Sequence, residues 1–249
     1  MPIKSQQKQH LQYSFPYHYI PSLDSSFRYA KFYPFAPSYH AACTLILNYF
    51  TSFFGESSFL KYADVGCGDG ALLNFLLSQD TPFDVDPYGF DYDSNALRWA
   101  SLFSPGTFFS NQDFISCAPY DVITCIEVLE HIPPDQILSF LSKLSNSLSK
   151  DGLLILTVPS INKPLENKHF QHFSESSLVS LLEPYFNIVS IMGFERYPFG
   201  YSVIKKIFNN KLFRLDIPVF NSFLYDSCLR LYPASCDKCG RLIACLSLL

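Results

Sequence analysis

Apolar and polar positions along residues 40–192 fall into blocks that alternate between strand and helix character. Lys61–Val65 is a short, mostly apolar run that leads through Gly66, Gly68 and Gly70 into Ala71–Ser78, a strand, tight turn and helix in that order. Further strands are predicted at 87–91, 107–110, 121–126 and 152–158, the last nearly all aliphatic and therefore covered on both faces. Helices are predicted at 39–53 and at 94–103, with Ser94 as the capping hydroxyl. Ile137, Phe140, Leu141, Leu144 and Leu148 form one apolar stripe at helical spacing behind Pro134, a residue suited to a first turn. A helix opened by Ser174 turns Leu178, Leu181 and Leu182 inward, and a strand follows at 186–192. Strands that alternate with helices imply an α/β fold, a parallel sheet wound on both faces whose ligands sit beyond the carboxyl ends of its strands.

The two flanks break this pattern. Residues 1–10 are polar, and Leu11–Tyr39 interleaves ten Tyr and Phe residues with four prolines in neither period. Such aromatics have to pack on something else, so residues 1–40 read as an N-terminal extension covering a core over 41–192. Residues 193–240 read as an aromatic-rich insertion or lid, helical at 201–209 and 219–231, before a last apolar strand at 241–249. The whole chain of 249 residues is expected to form one domain.

Composition narrows the partners. Net charge is −4 and no long basic run is present, which removes the usual electrostatic attraction for nucleic acid while leaving RNA open. Phe32–Gly55 contains no charged residue, but Pro34, Pro37, His40 and Asn48 interrupt it and the helix left over, Tyr39–Phe53, is too short to span a bilayer. A buried helix is expected there rather than a transmembrane segment. Eight cysteines lack a spacing framework, and no charged, apolar leader opens the chain, so reduced thiols in a cytoplasm are expected. Cys236 and Cys239 form the one C-x-x-C pair, without a second pair to complete a zinc site.

The glycine turn carries the chemistry. Gly66, Gly68 and Ala71, with Asp91 about twenty residues on, satisfy a dinucleotide fingerprint, which keeps a nicotinamide-linked oxidoreductase open. The fuller run Asp64-Val65-Gly66-Cys67-Gly68-Asp69-Gly70 resembles motif I of the class I S-adenosylmethionine-dependent methyltransferases. Tyr88–Asp93 is similar to that family's second strand, and Asp121–His131 to its fourth strand and the turn after it. The resemblance implies a Rossmann-like, doubly wound sheet of seven strands, the last antiparallel and beside the fifth. It also implies S-adenosylmethionine as cofactor, with its methionine moiety near Gly66, Gly68 and Gly70 and its ammonium group on Asp64. Asp91 would take the ribose hydroxyls, Tyr92 would flank the adenine, and Asp113 would accept from the adenine amino group. Pro159-Ser160-Ile161-Asn162 is similar to the family's loop beside the acceptor.

Past the fourth strand, Glu127, Glu130 and His131 place three ionisable groups in five residues at a pocket mouth. With a later histidine they resemble the metal-holding Glu-x-x-Glu-His feature of small-RNA 3′-terminal 2′-O-methyltransferases and the comparable cluster of ubiquinone-biosynthesis O-methyltransferases. The resemblance puts the later ligand on His169 rather than His172, in Asn167–Ser174. Glu127, Glu130, His131 and His169 would then hold Mg2+ or Mn2+; alternatively they line the pocket without metal, with His131 or His169 as general base. The expected activity is methyl transfer to an oxygen of a small or lipid-like acceptor. The other readings are an RNA 3′-terminal 2′-O-methyltransferase and a non-catalytic protein that binds S-adenosylmethionine.

Overall fold

The structure, a computed structural model, describes residues 36–54, 59–110, 113–196 and 234–249, with the single positions Gly200, Val203 and Val219. The expected aromatic cover before residue 36 and the expected helices at 201–209 and 219–231 lie, isolated positions apart, outside the described residues.

Helix α1 is Ala36–Phe53, followed by strand β1 at Phe59–Val65, helix α2 at Ala71–Leu77 and strand β2 at Asp84–Asp91. Helix α3 is Ser94–Phe103 and strand β3 Thr107–Ser110; strand β4 is Tyr120–Ile126 and helix α4 Ile137–Ser147. Strand β5 is Leu148–Pro159, helix α5 Glu175–Leu182, strand β6 Phe186–Phe194 and strand β7 Arg241–Leu248. The strands join in one sheet in the order β3-β2-β1-β4-β5-β7-β6. Strands β3, β2, β1, β4 and β5 run parallel, whereas β7 is antiparallel to both of its neighbours, β5 and β6. The expected doubly wound sheet with an antiparallel last strand beside the fifth is therefore present.

The period-2 alternation of strand side chains divides the core between the two faces of this sheet. Tyr62, Val122, Leu153, Ile155, Ile243 and Cys245 point to one face and pack with Ile46 and Phe50 of α1 and Leu72, Leu73 and Leu76 of α2. Ala63, Val65, Ile123, Leu154 and Leu156 point to the other and meet Leu141 and Leu144 of α4 and Leu178 and Leu182 of α5. Gly152–Pro159 is buried throughout, as its aliphatic run requires for a strand covered on both sides. No helix among the described residues is long and apolar enough to cross a membrane.

Two local expectations are corrected. Asp93, not Ser94, caps α3: its carboxylate accepts from the amides of Asn95 and Ala96, and a charged acceptor serves free amide donors at a helix start better than a hydroxyl. Leu148, the last member of the apolar stripe, is already extended and pairs with Tyr120 of β4, so the stripe outlasts its helix by one residue.

The turn after β1 is tied to β2. The amides of Gly66 and Cys67 both donate to the Phe90 carbonyl, at 2.7 and 3.0 Å. Gly66 has φ 80°, and a Cβ there would lie 2.4 Å from Cγ2 of Val128, just past β4. Gly66→Ala is therefore expected to lower stability by about 2–4 kcal/mol, with ~1–2 kcal/mol of that from the left-handed backbone. The rest is steric. Urea unfolding of Gly66→Ala, Val128→Ala and the double variant should give a coupling of roughly 1–2 kcal/mol; strictly additive losses would mean that Val128 does not press on the turn.

Candidate functional site

Every motif singled out in the sequence lies at the carboxyl end of the parallel strands or in the turns that leave it. At the β1 turn the glycine amides are largely used internally. Besides the Gly66 and Cys67 bonds to Phe90, the Gly68 amide donates to Asp91 Oδ2 at 2.9 Å and the Gly70 amide to the Cys67 carbonyl at 2.9 Å. What the glycines offer a ligand is close approach, since no side chain stands on the turn at 66, 68 or 70.

Asp91 is buried and doubly anchored, Oδ2 by Gly68 and Oδ1 by the Asp93 amide at 2.8 Å. A carboxylate oxygen has two acceptor sites, so each oxygen keeps one for a further donor. Burial pushes its pKa up to about 6, against the pull of the Asp93, Gly68 and Tyr92 amides. Asp64, on the α1–α2 face of β1, ends a buried relay: Tyr62 bonds the Thr124 hydroxyl at 2.7 Å, and Thr124 Oγ1 donates to Asp64 Oδ1 at 2.7 Å. Its pKa is pushed up to about 7, first by burial and then by the charge of Asp91, while the Thr124 hydroxyl opposes the shift. Tyr92 is 47 % exposed at the end of β2. Asp113 is exposed just past β3 and accepts from the Ser110 hydroxyl at 3.1 Å.

The second assembly follows β4. Leu129–His131 forms one 3-10 turn that drives Leu129 into the core and buries Glu130 completely. The loop from Ser160 to Phe173 is folded back against this turn. Its Phe170 amide donates to the Glu130 carbonyl at 2.8 Å, the Phe173 amide donates to the Pro159 carbonyl, and Ser160 bridges Phe173. Glu130, His131 and His169 consequently converge, one ligand atom from each lying within 4.8 Å of the others. Neither carboxyl oxygen of Glu130 has a hydrogen-bond partner, and His131 Nε2 stands 3.9 Å from Oε1. Burial, reinforced by the charge of Glu127, pushes the Glu130 carboxyl well above the usual carboxylate range. Burial also lowers His131, and pushes His169 down to about 3, so both rings are neutral near pH 7.

Glu127, expected with these three, is near enough for its charge to act on Glu130 and His131 but is not among the converging ligand atoms. Its backbone has φ 55°, an uncommon conformation outside glycine, and its carboxylate is engaged by two other groups. Thr157 Oγ1 donates to Oε1 at 3.1 Å and Arg241 Nε to Oε2 at 2.8 Å. The same arginine holds Glu195 through Nη1, and Lys163 Nζ meets Glu195 Oε2 at 3.2 Å. Arg241 was not legible as a site residue, because 114 positions separate it from Glu127 and no motif links them. His172, whose Nε2 contacts His169 Nδ1 at 2.8 Å, was visible only as a rival for the ligand position. Asn162, in the loop after β5, donates to the Ser160 hydroxyl and to the Cys239 carbonyl, which staples that loop to the segment entering β7.

The family described as a methyltransferase domain matches residues 38–190. No curated protein matches the chain. Among solved structures, magnesium protoporphyrin IX methyltransferase from Synechocystis PCC 6803 with bound SAH is similar at 17 % identity and a TM-score of 0.54, over 75 % of this chain and 87 % of that one. A structure of DhpI with SAH has 13 % identity and a TM-score of 0.57, over 99 % and 96 % of the two chains. The small-RNA methyltransferase HEN1 has 18 % identity and a TM-score of 0.56, over 88 % of this chain but 26 % of its own. At these identities the likeness is one of fold.

The raised Asp64 sets a pH dependence. An unfolded aspartate titrates near 3.9, so between about pH 4 and 7 the folded chain keeps a proton that the unfolded chain has released, and stability falls as pH rises through that window. Asp64→Asn removes this contribution and should flatten the curve by up to about 1.4 kcal/mol per pH unit. The opposite slope from the depressed His169 is common to both proteins and cancels in the difference. Urea midpoints from pH 5 to 7.5 check this, and parallel curves would mean that Asp64 titrates normally.

Proposed function

The chain belongs to the methyltransferase-domain family, and from that premise we propose that it moves a methyl group from S-adenosylmethionine to an oxygen of a small or lipid-like acceptor, with a divalent ion held by Glu130, His131 and His169. The observation that carries the metal is Glu130. A buried carboxyl with both oxygens unpartnered is costly, and two neutral imidazoles beside it complete a donor set with open positions for substrate. Two imidazoles and one carboxylate suit Mn2+ better than Mg2+, which prefers all-oxygen surroundings. Glu127 stays with Arg241 and lies outside this donor set.

In this reading the glycine turn lies along the methionine moiety, Asp64 takes the ammonium group and Asp91 the two ribose hydroxyls through its remaining acceptor sites. Tyr92 flanks the adenine and Asp113 accepts from its amino group. The sulfonium is already a good leaving group, so the protein's tasks are alignment, exclusion of water and removal of the acceptor proton. A divalent ion held by Glu130, His131 and His169 would lower the pKa of an acceptor hydroxyl bound to it. Those three residues would hold that ion and so orient the acceptor hydroxyl. The acceptor class rests on the loop that carries His169, where Ile161, Leu165 and Phe170 are exposed while Lys163 and Lys168 are paired with Glu195 and Glu166. An apolar rim with its cations already paired favours an apolar acceptor over a phosphate backbone.

Calorimetric titration of the full chain with S-adenosylhomocysteine, in EDTA and then with Mn2+, tests both halves. Expected are a cofactor heat under both conditions and a Mn2+ heat that disappears in Glu130→Gln and His169→Ala, while both variants retain the cofactor heat. Catechol methylation should fall by at least about 100-fold in Glu130→Gln and on EDTA treatment. A cofactor heat without any Mn2+ heat would remove the ion from the proposal and leave the histidines as bases, and no cofactor heat would overturn it entirely.

A further inference from the structure

Resting on the metal-site reading above, we infer that His172 is a positioning residue that fixes the ring of His169, so that His169 turns an Nε2 lone pair toward Glu130 and His131. His172 Nδ1 lies 3.1 Å from the Lys163 carbonyl. A carbonyl only accepts, so this nitrogen donates, and Nε2 of the same ring faces His169 as the acceptor. That Nε2 stands 2.8 Å from His169 Nδ1, which must then be the donor. His169 Nε2 is unprotonated as a result.

In the tautomer that leaves His169 a lone pair to offer, the chain has a single workable polarity. Protonating His169 at Nε2 instead would set two lone pairs against each other across 2.8 Å. Reversing His172 to relieve that contact would aim its other lone pair at the Lys163 oxygen. The starting point of the relay is itself fixed. The Lys163 amide donates to the Ser160 carbonyl at 3.0 Å and Lys163 Nζ is paired with Glu195. His131 obeys the same rule from its own side, with Nδ1 3.2 Å from the Lys168 carbonyl and Nε2 toward Glu130. The two rings meet edge to face at 4.8 Å between centroids, each with its outward nitrogen engaged by the loop. Hydrogen bonds of this kind from the far nitrogen set tautomer, orientation and basicity of a histidine ligand. The relay ends on a peptide carbonyl, which cannot take up a proton, so its role is orientation rather than proton export.

The test uses the full chain with S-adenosylhomocysteine present, as wild type, His172→Phe and His172→Gln. Phenylalanine keeps the ring and deletes the acceptor, whereas the glutamine side-chain oxygen can accept from His169 Nδ1. Ring-nitrogen NMR should show His169 protonated at Nδ1 in wild type and in His172→Gln, and a tautomer mixture in His172→Phe. Mn2+ affinity, followed by loss of the free-ion EPR signal, should fall about 10- to 100-fold in His172→Phe and recover most of the way in His172→Gln. S-adenosylhomocysteine affinity should be unchanged throughout. Equal Mn2+ affinity in wild type and His172→Phe overturns the inference, as does an Nε2-protonated His169 in wild type. If wild type binds no Mn2+, the metal reading fails separately, and the ring-nitrogen spectra alone decide whether His172 sets the tautomer. If His172→Phe loses cofactor binding through misfolding, the wild-type tautomer decides.

Discussion

Strand β7 enters the sheet in the slot between β5 and β6, antiparallel to both, and the site depends on that constraint. Because β7 runs backwards, its first residue arrives at the end of the sheet where the other strands finish. Arg241 pairs there with Pro159 of β5 and Phe194 of β6, the last residues of their strands. From that position its guanidinium reaches Glu127 after β4 and Glu195 after β6, both in the left-handed backbone region. A strained conformation persists only where its surroundings over-determine it, and here one planar cation with several donors supplies those surroundings for both acids. The order of the sheet thus determines where Glu127 points, and by occupying Glu127 leaves Glu130 as the acid that faces the histidines.

The acids at this edge divide into two kinds. Glu127 and Glu195 have cationic partners in Arg241 and Lys163. Asp64, Asp91 and Glu130 are buried without a cationic partner among the described residues, and burial is the leading cause of the upward shift in all three. Removing a carboxylate from water without compensation costs several kcal/mol, so such groups take up a proton or await a ligand. Three of them at the carboxyl end of a parallel sheet suit cationic or hydrogen-bond-donating groups. A cofactor with an ammonium group, a sulfonium and a ribose diol answers that description.

Much of this was legible in the sequence, for identifiable reasons. The seven strands follow from apolar runs and from glycines that have to sit on a tight turn, whereas the antiparallel course of the last one was implied only by the family resemblance. Asp64, Asp91, Glu130, His131 and His169 are tied by short-range context to strand ends and to the turns after them, so their neighbourhood could be placed. Glu127 was grouped with Glu130 because they are three residues apart after the same strand. Its left-handed backbone and its bond to an arginine 114 residues away leave no local signature. The cap of α3 was misplaced by one residue because Asp93 and Ser94 are both competent caps, and the carboxylate won. The family resemblance put the later ligand on His169 rather than His172; the contact between the two appears only once the loop from Ser160 to Phe173 is folded back on the turn after β4.

That loop also explains how a site with so few regular elements is kept rigid. His169 and His172 lie in an irregular segment, which ordinarily moves more than the strands it joins. Here one end of the segment is fixed by the Ser160 amide on the Gly240 carbonyl, the other by the Phe173 amide on the Pro159 carbonyl, and its middle by the Phe170 amide on the Glu130 carbonyl and by the Lys168 carbonyl facing His131. A displacement that carried His169 away from Glu130 would have to break these contacts together with the His169–His172 bond. Methyl transfer in line with a sulfonium tolerates little misalignment, since an error of about 1 Å can cost two orders of magnitude in rate. Cross-bonding the loop to the turn it faces therefore holds His169 and His172 in place within an irregular segment, and it assigns to backbone amides and carbonyls the positioning that a helix or strand would otherwise provide.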